Sequence, residues 1–280
     1  MSSWDCSLHN HCTLCDGKSS AQEMARAAFS LGLGHFGLSC HSHTPIPHDA
    51  GQVLPQDLGE YRRSLEGLRE AYAGRMEVLF GIEQDSETVE PVPDFVDYWI
   101  GSVHNLHDRE TGRYHALDWD REKLLRCRDE MFGGDPYALA EGYFQAVGEM
   151  AERCPSILGH IDLLCKLNGD GSLFDEEAPR YKAAALEALH RCQPQKTLLE
   201  INTGALSRGY RKRPYPALFL LREWRAMGGQ VIFSADAHHQ EHIVYGFSLA
   251  EDWAKAAGFR ERAILTGAGM ELRPLSISKS

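Results

Sequence analysis

Seven short apolar, β-branched or aromatic runs recur along the chain, at 4–8, 36–39, 77–82, 99–103, 157–161, 197–201 and 231–234. Longer stretches with helical spacing separate them. One helix starts at Ser20, where Ser20-x-x-Glu23 is a capping box followed by Met24, Ala27, Ala28 and Leu31. Others are predicted over 58–72, 136–153, 175–191, 214–227 and 249–257, with glycines at 32, 74, 228 and 258 where helices end. Strands alternating with helices imply a parallel sheet with right-handed crossovers. No internal repeat or low-complexity tract interrupts the pattern, so residues 1–280 read as one domain, with the segment from about 259 peripheral.

The residues just after each run decide between an open sheet and a closed barrel. The first run leads into His9-Asn10-His11 and Asp16, the second into His41, the third into Glu83 and the fourth into His104. The fifth contains His160, the sixth ends Glu200-Ile201-Asn202, and the seventh leads into Asp236 and His238. An open sheet would splay these ends along about 30 Å at about 4.8 Å per strand. A βα barrel gathers them on one face, where such folds place their sites. A barrel is therefore predicted, and no glycine-rich phosphate loop succeeds the first strand to favour a dinucleotide fold.

His9 and His11 are two apart on an extended segment, so both side chains face one side and can share an ion; Asp236 and His238 repeat that spacing. A carboxylate such as Glu83 at the end of an apolar run is rarely buried unless paired or bound to metal. Six of the 14 histidines fall at strand ends. The other eight (His35, His43, His48, His107, His115, His190, His239 and His242) read as surface or supporting residues, with His43 and His239 nearest the ligand candidates.

The composition narrows the partners. With 40 acidic and 29 basic side chains the formal charge is −11, which offers no general attraction to nucleic acid or to an anionic membrane. No run approaches the roughly 20 apolar residues of a membrane span, and the first residues lack a signal-peptide pattern, so a cytoplasmic location and reduced cysteines are expected. Cys12 and Cys15 form a CxxC pair, but no second pair is present to complete a zinc site. The oligomeric state is left open.

The blocks His9-x-His11, Cys15-Asp16-Gly17, His41, Gly81-Ile82-Glu83, Gly101-Ser102-Val103-His104, Gly159-His160-Ile161-Asp162, Glu200-Ile201-Asn202-Thr203 and Ser234-Ala235-Asp236-Ala237-His238 resemble the PHP (polymerase and histidinol phosphatase) superfamily, in the order of its histidinol-phosphatase branch. Cys40 departs from the pattern, standing where such proteins usually carry Asp or Glu. The resemblance implies a distorted (βα)7 TIM-like barrel holding up to three divalent ions. One ion would take His9, His11, Glu83 and Asp236; a second would share Glu83 and add His104 and His160; a third would take Asp16, His41 and His238. Nitrogen and oxygen ligands without thiolate suit zinc, manganese or iron.

The activity so implied is a phosphoric monoester hydrolase releasing L-histidinol from L-histidinol phosphate, a step in histidine biosynthesis. A metal-bridging hydroxide would attack phosphorus, with the ions neutralising the equatorial oxygens. Asp236 and His238 are candidates for moving a proton to the leaving group. Arg208 and Lys166 best match the family's phosphate-binding cations, with His43 and Arg211 as further candidates and Lys212 and Arg213 nearby. Asp108, Glu110 and Asp118 are acidic candidates for reading the amine. A PHP phosphoesterase acting on another small phosphate ester or a nucleotide is the alternative. A non-catalytic metal-binding regulatory domain is a further one, disfavoured by the complete set of nine candidate ligands.

Overall fold

A computed structural model describes residues 4–47 and 51–276, so His48 lies outside the described residues. Seven parallel strands form one sheet: β1 (Cys6–Ser7), β2 (His35–Leu38), β3 (Glu77–Asp85), β4 (Tyr98–Ser102), then the strands at Ile157–Leu158, Leu198–Asn202 and Val231–Ser234. The order in the sheet matches the order along the chain, as the strand–helix alternation predicts. The first and last strands meet through a parallel bridge between Asn10 and Ala237, with His11 N–H donating to Ala237 O at 2.8 Å and Ala237 N–H to His9 O at 3.2 Å. The sheet is thus a nearly closed barrel, and closure occurs at the end that carries the polar residues.

Helices α1 (Ala21–Ser30) and α2 (Leu58–Ala71) cover the first crossovers, and the Ser20 capping box opens α1: Glu23 N–H donates to Ser20 Oγ while Ser20 N–H donates to Glu23 Oε2. Helices at Pro136–Glu152, Pro179–His190, Leu218–Ala226 and Phe247–Ala256 complete the outer layer, burying residues such as Phe144, Leu189, Trp224 and Phe247. No helix among the described residues is long and apolar enough to cross a membrane.

Tyr98 stands inside the barrel, where its hydroxyl donates to Leu8 O, and a Cβ at Gly37 or Gly81 would run into its ring. Those two glycines leave room for this aromatic group in the lower cluster, among Cys6, Leu8, Leu79, Ile100, Ile157, Leu198 and Ile232.

Two regions differ from the sequence expectation. After β4 the chain makes an antiparallel hairpin, β5 (Asn105–Asp108) and β6 (Arg113–Ala116), and then α3 (Arg121–Phe132). Both are additions to the barrel, and the hairpin's polar strands carry no apolar run. The C-terminal segment, read as peripheral, forms a hairpin of strands Glu261–Thr266 and Gly269–Pro274. Its Ala263 and Ile264 are fully buried in the lower cluster, closing the barrel bottom. Asp5 fastens it, accepting from Arg262 Nη2 at 2.6 Å and Arg273 Nε at 3.0 Å.

Ile264→Ala should therefore lower the unfolding free energy by about 3 kcal/mol in urea denaturation. Truncating Met270, half-exposed on the same hairpin, should change it by less than about 0.5 kcal/mol. Equal, small effects would mean that the hairpin is not part of the core.

Candidate metal centre

Barrel closure sets His9 and His11 beside Asp236 and His238, because the bridge residues Asn10 and Ala237 lie between the members of each pair. Asp236 adopts a left-handed backbone (φ 48°), an uncommon conformation for a non-glycine residue, and its carboxylate turns inward. Gly204 makes space for it: a Cβ there would stand 2.7 Å from Asp236 Oδ2. Asp16 arrives from a tight turn in which Cys15 N–H and Gly17 N–H both donate to Cys12 O.

Glu83 is the centre of the cluster and is 1% exposed. Its Oε2 lies 3.3 Å from His9 Nε2, 3.4 Å from His11 Nε2 and 3.1 Å from His41 Nδ1. Its Oε1 lies 3.5 Å from His104 Nε2 and 3.1 Å from His160 Nε2. Asp236 Oδ1 is 3.3 Å from His11 Nε2 and 3.7 Å from His9 Nε2. Asp16 Oδ2 is 3.0 Å from His238 Nε2 and 3.7 Å from His41 Nε2. All nine ligand candidates thus converge on one end of the barrel.

The tautomers show what these contacts need. His9 Nδ1 is 2.8 Å from Glu200 Oε2, and His104 Nδ1 is 3.0 Å from Asp85 Oδ2. A neutral imidazole has one N–H. Donated to these carboxylates, it leaves Nε2 a lone pair facing a Glu83 oxygen, a repulsive arrangement unless a cation or proton lies between. His9 Nε2, His11 Nε2 and Glu83 Oε2 are buried with no hydrogen-bond partner among the described residues. Ligand atoms bound at about 2.1 Å to one tetrahedral ion stand about 3.4 Å apart, within the spread of these separations. Among the described residues, four groups have ligand atoms close enough to hold an ion: His11, Asp16, His41 and His238; His9, Glu83 and His160; His9, His11 and Asp236; and His41, Glu83 and His104. The residues fit divalent metal ions.

The electrostatics agree. Burial disfavours ionisation of Glu83, but His9, His41, His104 and the His160 hydrogen bond hold its carboxyl well below the usual range. Burial likewise opposes ionisation of Asp236, and Arg208, His9 and His11 hold it well below normal. Burial opposes protonation of His104, yet Glu83 and Asp85 push its pKa up to about 10. A cluster so rich in buried carboxylates requires compensating positive charge.

The centre opens into a cavity of about 410 Å³. Arg208 is on its wall, with Nη2 donating to Asp236 Oδ2 at 2.9 Å and Nη1 to His238 Nδ1 at 3.0 Å; its buried Nε has no partner among the described residues. Lys166 also lines the cavity, paired with Asp118 at 2.8 Å. His43 does not line it; its Nδ1 is 3.0 Å from Glu90 Oε1. Arg211 is the clearest departure from expectation. It is buried, forked onto Glu176 with two contacts of 3.0 Å, and lies off the cavity, with Arg213 on the same carboxylate. Asp108 accepts from Glu110 N–H and the Thr111 hydroxyl at the tip of the β5–β6 hairpin, away from the cavity.

Sequence reasoning misses Asp85, for which the i+2 spacing from Glu83 on β3 is the available signal, and the cavity residues Lys18, Trp119, Tyr210 and His242. It places Glu200 at a strand end without a role; the structure supplies one, behind His9. His239 lines the cavity, as its position beside His238 suggests.

A parallel βα barrel whose C-terminal mouth gathers imidazoles and carboxylates is the architecture of a metal-dependent barrel hydrolase. The chain belongs to the PHP domain family, whose model matches residues 5–204. It is 30% identical over 278 residues to a Deinococcus radiodurans protein named "Probable histidinol-phosphatase", covering 91% of this chain and 94% of that one. It is 23% identical over 266 residues to a Bacillus subtilis histidinol-phosphatase, covering 85% and 95%. In fold it is similar to the crystal structure of Lactococcus lactis histidinol phosphate phosphatase complexed with zinc, L-histidinol and phosphate, at a TM-score of 0.66, 17% identity and coverage of 95% and 98%.

These contacts can be tested one at a time. Glu200→Gln keeps every ligand candidate but weakens the hold on His9, and should lower metal affinity 10–100-fold in a chelator competition; unchanged affinity would remove Glu200 from the site. Burial opposes ionisation of Glu176, but Arg211 and Arg213 hold its carboxyl below normal. That contribution is present above the unfolded pKa of about 4.3 and is lost as pH falls through the lower folded value. Glu176→Gln should thus cost about 3 kcal/mol of stability at neutral pH, with the gap closing in acid; a constant gap would contradict the ion pair.

Proposed function

We propose that the chain is a metal-dependent phosphomonoesterase that hydrolyses L-histidinol phosphate to L-histidinol and phosphate. The observation that carries this reading is the convergence of nine His, Asp and Glu side chains, Glu83 at their centre, on one end of the barrel, with the Arg208 guanidinium beside them. The names of its relatives, and the zinc, L-histidinol and phosphate held by the Lactococcus lactis protein, support the substrate.

His9, His11, Glu83 and Asp236 would hold one divalent ion, Glu83 with His104 and His160 a second, and Asp16, His41 and His238 a third, as zinc, manganese or iron. When bound, such ions polarise phosphoryl oxygens and make water a nucleophile near neutral pH. Arg208 does two things at once: its Nη groups fix Asp236 and His238, and, as a lining residue of the cavity, its guanidinium would add positive charge for a phosphate oxygen. Lys166, balanced by Asp118, adds a weaker charge at the same wall. Of the two proton-transfer candidates, Asp236 is held ionised by Arg208, and His238, which accepts from Arg208 at Nδ1 and would bind an ion through Nε2, has no proton to give; the departing alkoxide would take its proton from water. The cavity suits a small monoester, and its wall cations are too few to track a polynucleotide.

Phosphate release with added manganese or zinc should be fastest with L-histidinol phosphate among a panel of nucleotide, sugar and amino-alcohol phosphates. Asp236→Asn should lower kcat by about 100-fold or more. Preference for a nucleotide or sugar phosphate would overturn the substrate and leave the chemistry. Turnover of phosphodiesters alone would overturn both.

A further inference from the structure

Three cysteines that the site chemistry does not use sit directly behind the ligand shell. Cys12 comes after His11, Cys15 precedes Asp16, and Cys40 precedes His41. Because β1 and β2 are neighbours in the sheet, Cys12 Sγ lies 3.6 Å from Cys40 Sγ, with both residues fully buried. The turn after β1 folds Cys15 back onto them. Gly17 makes this possible, since a Cβ there would stand 2.5 Å from the Cys12 backbone. The Cys15 thiol lies 3.7 Å from His11 Nδ1, and unlike the other two cysteines Cys15 is partly open to solvent.

We propose that Cys12, Cys15 and Cys40 form a redox-active thiol site, in which Cys15 meets a hydroperoxide and Cys12 resolves it. Exposure decides the order: Cys15 is reachable, and Cys12 lies behind it, joined to Cys15 by the bond from Cys15 N–H to Cys12 O and 3.6 Å from the Cys40 sulfur. The Cys15 sulfur attacks the O–O bond of hydrogen peroxide, becoming a sulfenic acid and releasing water. The Cys12 thiol then displaces the sulfenic oxygen, which leaves as a second water with the Cys12 proton, and an S–S bond forms. Two thiols lose two electrons in total, and one peroxide is reduced to two waters. Attack of Cys40 on Cys12 can then pass the disulfide to the buried pair and free Cys15.

An S–S bond of about 2.05 Å requires movement from the present contacts, and each sulfur is tied through its backbone to a neighbour of the ion-binding groups. The turn bearing Cys15 also carries Asp16, and Cys12 is bonded to His11. Oxidation should therefore displace Asp16 and His11 and release metal, and reduction should restore both. This consequence rests on the reading of His11, Asp16 and His41 as ligands; the disulfide itself does not.

The test is to expose the metal-loaded protein to stoichiometric hydrogen peroxide, quench with catalase, measure bound metal on one portion, and alkylate the other in denaturant, so that buried thiols also react, before mapping thiols by peptide mass. The expected result is loss of about two free thiols per chain, in a disulfide that includes Cys12, together with loss of metal, both reversed by dithiothreitol and metal. Cys15→Ser should keep Cys12 alkylatable through the same exposure. The proposal is overturned if Cys12 stays alkylatable in the parent while oxidant is consumed at Cys154, the other half-exposed cysteine, or if Cys15→Ser forms a Cys12 disulfide as fast as the parent. A Cys12 disulfide with full metal content would uphold the thiol site and overturn its coupling to the ions.

Discussion

A carboxylate at the end of an apolar strand, sealed from water, is the constraint around which this barrel is built. Glu83 cannot ionise in isolation at 1% exposure, yet five imidazoles face its two oxygens. Glu200 and Asp85 stand behind His9 and His104 and turn their free nitrogens toward it. Barrel closure at Asn10 and Ala237, the left-handed turn at Asp236 and the small side of Gly204 all serve the same cluster. The chain of cause runs from burial, to the need for cations, to a ligand geometry.

That local demand is separate from the net charge of −11. Most cations near the mouth are already committed: Arg211 and Arg213 to Glu176, and Lys166 to Asp118. Arg208 and Lys18 line the cavity itself. The arrangement admits one compact anion and gives a long polyanion little to track. The substrate reading thus rests on few groups, whereas the ion-binding reading rests on many.

The strand ends are legible because ligand-type residues interrupt apolar runs, a local pattern that sequence displays directly. The barrel is legible because seven such ends need to meet. Arg211 is not, because its partner Glu176 is 35 residues away, and no local signal distinguishes a buried fork from a phosphate clamp. The β5–β6 hairpin and α3 escape because their polar strands lack an apolar run. The C-terminal hairpin escapes because only three successive residues of its inner strand, Arg262, Ala263 and Ile264, are buried, too short a run to read as part of the core until the barrel bottom against it is known.

Elemental analysis of the purified chain, after dialysis against metal-free buffer, tests the central claim most directly. About three divalent ions per chain are expected, falling sharply in Glu83→Gln once circular dichroism has shown that the variant is folded. A parent protein without stoichiometric metal, even when reconstituted, would contradict it: Glu83 would then be balanced by protonated histidines alone, and the centre would be a structural cluster without hydrolytic chemistry.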